Sequence, residues 1–308
     1  MHTTPSVFDE ASAGSVQLRT PAKLNLYLEL LGRRDDGFHE IETLMAPVSL
    51  YDTLSFAPRT EGEIELECDR FSELHGAAVP GIERLPEGSD NIVMRAVRLL
   101  RQRAGVAYGA SIRLVKRIPI AAGLAGGSSD AAAALTAANA AWNLEWSVER
   151  LADVAAAVGS DVPFFLTRGP AVCRGRGERI ERIDGLGTLH FVVVVPPGGL
   201  STASVYEAYR PAGDRFLLSP LLKALRAGDL ESAGRCLRNR LEAPARRLSP
   251  YVENVKQEFD KLDVVGHQVT GSGSGYFGLC RHARHAHRIM RRLESTGVGR
   301  CYVVRSTC

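Results

Sequence analysis

Residues 110–141 read ASIRLVKRIPIAAGLAGGSSDAAAALTAANAA, and their pattern changes twice. ASIRLVKRIPI predicts a β-strand, whereas the alanine-dense stretch running to Ala141 predicts a helix, because alanine loses no side-chain entropy there. Between them Gly123, Gly126 and Gly127 precede a first turn that carries Ser128, Ser129 and Asp130. Glycine lets backbone amides approach an anion closely, and a helix start adds unpaired N–H groups at the positive end of its dipole. The stretch therefore predicts a phosphate cradle. A plain turn with a serine cap is the alternative, but a cap needs one serine, not three glycines and two serines.

The familiar nucleotide loops do not fit. No glycine is followed by lysine, and neither H-R-D nor D-F-G occurs. A G-x-G-x-x-G is present at Gly273, Gly275 and Gly278, but YFGLC (276–280) reads as a strand, whereas a dinucleotide fingerprint opens a helix.

Upstream of the cradle, LRTPAKLNLYLELLG (18–32) alternates. Leu24, Leu26, Leu28 and Leu30 share one face and Lys23, Asn25, Tyr27 and Glu29 the other, which predicts a half-buried strand. A turn is expected at Asp36 and Gly37, then strands over 41–58 and 62–68. NIVMRAVRLLRQRAG (91–105) predicts an amphipathic helix with Ile92, Ala96, Leu99 and Leu100 near its apolar face and a stop at Gly105. Downstream, a helix capped by Ser147 and stopped by Gly159 leads into a loop, SDVPFF. Between Arg174 and Gly187 the chain turns to Gly, Arg and Glu before the strand FVVVV (191–195), so domains are expected at 1–175 and 176–308.

The chain has 308 residues, 45% hydrophobic and 24% charged, enough to bury a full core and unlike a disordered or fibrous sequence. Its net charge is +3, and its arginines are dispersed and mostly alternate with Asp or Glu, so no nucleic-acid partner is expected. Only five basic residues are lysines, Lys23, Lys116, Lys223, Lys256 and Lys261. Cys68, Cys173, Cys236, Cys280, Cys301 and Cys308 form no zinc-like spacing and read as small hydrophobes. The opening MHTTPSVFDEASAGS does not look like a signal peptide, and no apolar run approaches the ~18 residues of a membrane span; a cytoplasmic, reduced protein with no membrane partner is expected. In RHARHAH (281–287) the arginines between His282, His285 and His287 predict a basic helix face and not a metal site.

Three segments, PAKLNLYLELLGRRDDGFHEIETLM (21–45), PIAAGLAGGSSDAA (119–132) and VTGSGSGYFGL (269–279), resemble in order the three motifs of the superfamily named for galactokinase, homoserine kinase, mevalonate kinase and phosphomevalonate kinase, the GHMP kinases. PAKLNL with DGFHEI, and GSDVPFF with the later segment, resemble the branch whose acceptor is 4-diphosphocytidyl-2-C-methyl-D-erythritol. Ala125 stands where such loops often carry another glycine.

The resemblance implies an α+β fold with an N-terminal domain like the second domain of ribosomal protein S5 and a ferredoxin-like C-terminal domain. It implies ATP and Mg²⁺ as cofactors, a small-molecule substrate, and a step of the non-mevalonate isoprenoid route; a monomer or weak homodimer is expected. Asp161 is implied as catalytic base, with Lys23 its partner near the transferred phosphate. Pro119, Ile120, Ala121, Ala122, Gly123, Leu124, Ala125, Gly126, Gly127, Ser128 and Ser129 are implied to bind ATP, the two serine hydroxyls also contacting Mg²⁺. For the substrate it implies Asn25, Phe38, His39, Thr202 and Tyr206, joined by Gly271, Ser272 and Gly273 of the third motif. A homoserine or mevalonate kinase and a non-catalytic nucleotide sensor are the rival functions.

Overall fold

The computed structural model describes residues 8–11, 15–70, 90–211 and 213–307, with the backbone alone for 8–11 and 70. Cys308 lies outside them. Strands are β1 (Phe8–Ala11), β2 (Ser15–Arg33), β3 (His39–Arg59), β4 (Ile64–Arg70), β5 (Gly109–Lys116), β6 (Ala171–Gly175), β7 (Arg179–Arg182), β8 (His190–Val195), β9 (Arg238–Asn239), β10 (Gly266–Val269), β11 (Tyr276–Cys280) and β12 (Arg300–Arg305). Helices are α1 (Ile92–Ala104), α2 (Gly126–Ala141), α3 (Val148–Val158), α4 (Thr202–Ala208), α5 (Ser219–Arg226), α6 (Leu230–Cys236), α7 (Glu242–Leu248), α8 (Pro250–Asp260) and α9 (Ala283–Thr296). They form two compact units, each discontinuous in sequence: one takes residues up to Ala22, Leu50–Ile118 and Ala125–Thr167, the other Lys23–Ser49, Pro119–Leu124 and the chain from Arg168.

In the first unit β5 pairs antiparallel with the end of β3 (Thr53 opposite Val115) and parallel with β4 (Ile64 opposite Ala110). α1, α2 and α3 close over this sheet on a core containing Leu54, Phe56, Ile112, Val97, Leu100, Leu135 and Val154. α1 begins where Asn91 accepts from the Val93 amide and ends at Gly105, whose left-handed φ of 67° returns its N–H to the Arg101 and Gln102 carbonyls. Its buried face is Val93, Met94, Ala96, Val97 and Leu100, with Ile92 and Leu99 only partly buried, so the apolar stripe is rotated from the expected one. The segment SDVPFF, expected as loop, contains a 3-10 turn over Pro163–Leu166, with proline at its start.

In the second unit β10, β11, β8 and β12 make a four-stranded antiparallel sheet in that order. Val192 and Val194 of β8 pack with Phe259, Ala286, Ile289 and Leu293 from α8 and α9. Gly278 lies in the middle of β11, where an added Cβ would come within 2.6 Å of Phe259, so this glycine admits a helix against the sheet and opens none.

β2 departs from its expected half-burial: every residue from Ala22 to Leu30 is buried. The polar face is covered by distant chain of the second unit. The Tyr27 hydroxyl donates to the Phe216 carbonyl at 2.7 Å, and Glu29 accepts from Arg240 Nε at 2.6 Å and the Phe216 amide at 2.9 Å.

Candidate active site

In the first unit, α2 begins at Gly126, two residues before Ser128, so Asp130 falls past its first turn and not within it as expected. Gly126 and Gly127 lie inside the first turn, and Ala125 is the N-cap, left-handed at φ 54° and with no side-chain cap bond. A Cβ on Gly126 would sit 2.9 Å from Ile118 Cγ2 and 3.2 Å from Lys116 Nζ, so the helix start passes close to both. The Ser129 hydroxyl is buried and has no hydrogen-bond partner among the described residues. Buried hydroxyls are ordinarily bonded, so this one suits a ligand oxygen or cation at the helix start. Asp161 stands in the turn after α3, where Gly159 ends the helix with its N–H on the Ala155 carbonyl.

Beneath the start of α2 lies a cluster that the sequence did not reveal. Lys116 Nζ donates to Asp130 at 2.6 Å and to Asp52, and Thr20 Oγ1 donates to the other oxygen of Asp130 at 2.6 Å. Asp52 also accepts the amides of Arg117 and Ile118. All four side chains are buried. Burial pushes the Asp130 carboxyl up to about 6, with the Asp52 charge adding to it and Lys116 opposing. Burial would push the Lys116 ammonium down, but the two carboxylates outweigh it and hold its pKa above the usual lysine value. A lysine at the end of an apolar strand and an aspartate within another were the available signals; only the register joins them.

In the second unit, Lys23 and Asn25 are buried side by side on β2, with Lys23 Nζ donating to Asn25 Oδ1 at 2.5 Å. Asn25 Nδ2 donates to Thr43 Oγ1 at 2.9 Å and its backbone amide to Thr270 Oγ1 at 3.1 Å. The third motif folds over them: at Gly271, φ 57°, a Cβ would fall 3.2 Å from Lys23 Nζ. Gly123 is equally tight, its φ 68° and its Cβ position 2.2 Å from the Thr270 carbonyl oxygen. The Lys23 amide donates to Leu124 O and the Gly275 amide to Ala122 O, so the 119–124 segment, Lys23 and the GSGSG loop are tied backbone to backbone.

Other residues of the expected substrate set fall into three groups in this unit. Thr202 and Ser272 share a hydroxyl hydrogen bond of 2.9 Å. The His39 ring stands 5.1 Å from that of Tyr206 and, edge-on, 6.2 Å from that of Tyr209. Burial, aided by the Arg33 charge, lowers the His39 pKa, which favours the neutral imidazole that can donate with one nitrogen and accept with the other. Phe38 is half exposed, and the Arg176 guanidinium lies 4.7 Å over its ring. Tyr209 and Arg176 were not foreseen; an aromatic three residues after Tyr206 was the signal for the first. In α9, His282 is the N-cap, accepting from the His285 amide.

Known proteins supply the context for this geometry. Residues 91–169 match the model for the GHMP kinase N-terminal domain and 221–299 that for the C-terminal domain. A 4-diphosphocytidyl-2-C-methyl-D-erythritol kinase of Pelotomaculum thermopropionicum is 42% identical over 89% of this chain and 92% of its own. A crystal structure of 4-(cytidine 5'-diphospho)-2C-methyl-D-erythritol kinase superposes with a TM-score of 0.77 at 36% identity, covering 95% of this chain and 99% of the other. Homoserine kinase from Cytophaga hutchinsonii shares the fold, with a TM-score of 0.75 at 18% identity over 98% and 97% of the two chains.

Proposed function

The chain belongs to the family of 4-diphosphocytidyl-2-C-methyl-D-erythritol kinases within the GHMP kinases, which use ATP, and we propose that it phosphorylates the 2-hydroxyl of 4-diphosphocytidyl-2-C-methyl-D-erythritol. The observation that carries this is identity of 42% sustained over about nine-tenths of both chains. In the reaction the 2-hydroxyl oxygen attacks the γ-phosphorus of ATP, the bond from that phosphorus to the β–γ bridging oxygen breaks, and ADP leaves.

Asp161 accepts the hydroxyl proton as the attack proceeds, the work of a general base. Lys23 offsets negative charge on the phosphoryl oxygens as it moves between them. The first-turn amides of α2, which has no side-chain cap bond at Ala125, hold the polyphosphate. Ser128 and Ser129 would hold Mg²⁺, which supplies further charge neutralisation, and the buried Ser129 hydroxyl, with no partner among the described residues, fits that duty. On the acceptor side, His39 reads the polar edge of the cytosine while Phe38 and Tyr206 offer it stacking faces. Asn25, Thr202 and the backbone of Gly271, Ser272 and Gly273 line the remainder.

The test is ADP release by the purified chain with the cytidyl acceptor, homoserine and mevalonate side by side. Turnover confined to the cytidyl acceptor is expected, and Asp161→Asn should lower kcat by about 10² or more with ATP affinity within a few fold. Faster turnover of homoserine or mevalonate would reject the assignment, and ATP binding without turnover of any acceptor would favour a sensor.

A further inference from the structure

Asn25 lies beside Lys23, and the hydrogen bonds around it run in one direction. Thr43 Oγ1 donates its only proton to the Tyr27 carbonyl at 2.6 Å, so toward Asn25 it can only accept. The group of Asn25 that faces Thr43, 2.9 Å away, is therefore the amide nitrogen. That choice turns Oδ1 the other way, toward the ammonium of Lys23 at 2.5 Å, which carries donors alone. Thr270 Oγ1 accepts the Asn25 backbone amide and approaches Oδ1 at 3.4 Å, steadying the same side chain from the third motif. Thr43, Asn25 and Thr270 are all buried, so water does not compete for these bonds.

We propose that Thr43 is a positioning residue for phosphoryl transfer: its hydroxyl, fixed by the Tyr27 carbonyl, sets which way the Asn25 amide points and thereby where the Lys23 ammonium is held. The proposal rests on the assignment of Lys23 to the transferred phosphate made above. It gives Asn25 a second duty beside any contact with substrate. With the hydroxyl gone, the buried amide nitrogen loses its acceptor, and because turning that nitrogen toward Lys23 would set donor against donor, Asn25 can find a new partner only by shifting its side chain, which carries Oδ1 with it. The point to which the Lys23 ammonium donates moves with it, and a small displacement near the reacting atoms affects the transition state more than the bound substrates.

Steady-state kinetics on the full chain with Thr43→Val, Thr43→Ser and Lys23→Met decide it, with thermal unfolding run on each variant. Thr43→Val should lower kcat about tenfold or more with KM for ATP and for the cytidyl acceptor within about threefold, and Thr43→Ser, which keeps the hydroxyl, should restore most of the loss. Lys23→Met should be lower still. If Thr43→Val fails to fold, Thr43→Ala removes the same hydroxyl without a new methyl and is read the same way. Wild-type kcat in the valine variant, an equal loss in the serine variant, or a loss confined to KM would overturn the relay while leaving Lys23 in place. Full turnover by Lys23→Met would instead overturn the role of Lys23 itself, a different and separable result.

Discussion

Two of the five lysines, Lys116 in the first unit and Lys23 in the second, are buried, and their surroundings select their positions by different physics. Lys116 sits between the carboxylates of Asp52 and Asp130. A carboxylate accepts through either oxygen, so the cluster is held by charge and has no direction. Lys23 lies against the Asn25 amide, one end of which accepts and the other donates. There the position depends on which end is presented, and a neutral neighbour, Thr43, decides it. Charge thus secures the ground beneath the helix start, whereas hydrogen-bond polarity aims a side chain.

The sharpest way to break this contrast is to remove each cation. Lys116→Met leaves two buried carboxylates facing one another, and loss of one partner from a buried ion cluster costs about 3–5 kcal/mol. Urea unfolding at neutral pH should show that loss; a variant as stable as wild type would mean that the cluster contributes no net stability. Lys23→Met tests the other side. Its expected signature is in turnover, lower by about 10² or more, or nearly 3 kcal/mol in the barrier. Should Lys116→Met prove the more damaging to kcat at a temperature where both variants are folded, the division between the two regions would collapse.

The parts legible in the sequence were those that need only neighbours along the chain. The start of α2 announced itself through glycine and serine density and α1 and α3 through capping residues, while Lys23 was marked only by the resemblance of its motif, and Asn25 joined it by lying two residues along the same strand face. What stayed hidden depends on register. Lys116 meets Asp52 because Thr53 pairs with Val115, and no local pattern states that pairing. The polar face of β2 looked solvated because its covering residues, Phe216 and Arg240, come about two hundred positions later. Thr43 lay inside a quoted motif, yet its meaning required the Tyr27 carbonyl and the Asn25 amide to be seen together.

A smaller effect separates charge from direction within the first cluster. The Asp130 carboxyl is raised to about 6, chiefly by burial, so the folded chain binds this proton more tightly than the unfolded chain does. Its contribution to stability is complete below the unfolded carboxyl range and is lost as pH rises through about 6. Asp130→Asn deletes that dependence, and an amide can still accept from Lys116 while donating to Thr20. Relative to wild type, the variant should therefore gain on the order of 1–3 kcal/mol between pH 4 and pH 7. Denaturant midpoints across that range provide the check. A difference that falls with pH would show that the carboxylate is net stabilised in place, and that charge holds this region more firmly than the cluster geometry implies.

The smallest expected effect concerns backbone alone, at the residue where the loop becomes the helix. Ala125 caps α2 in the left-handed region at φ 54°, with no side-chain hydrogen bond in return. That conformation costs an L-residue with a Cβ about 1–2 kcal/mol, and glycine avoids the clash. Glycine also frees the unfolded chain, which takes back about 0.4–1 kcal/mol. Ala125→Gly should therefore stabilise the protein by about 0.5–1 kcal/mol, a rise of a few degrees at most in Tm. The comparison is sharpened by repeating the substitution in the Asp130→Asn background. Asp130 lies five residues after Ala125, just past the first turn of α2, and is tied to Lys116 and Thr20, so the ion cluster anchors the helix close to the residue that carries this φ. If charge is what maintains the strain, the gain from glycine should shrink once Asp130 is neutral, because the turn can then relax. An equal gain in both backgrounds would show that packing against Ile118 and the helix itself fix Ala125, independently of the lysine beneath it.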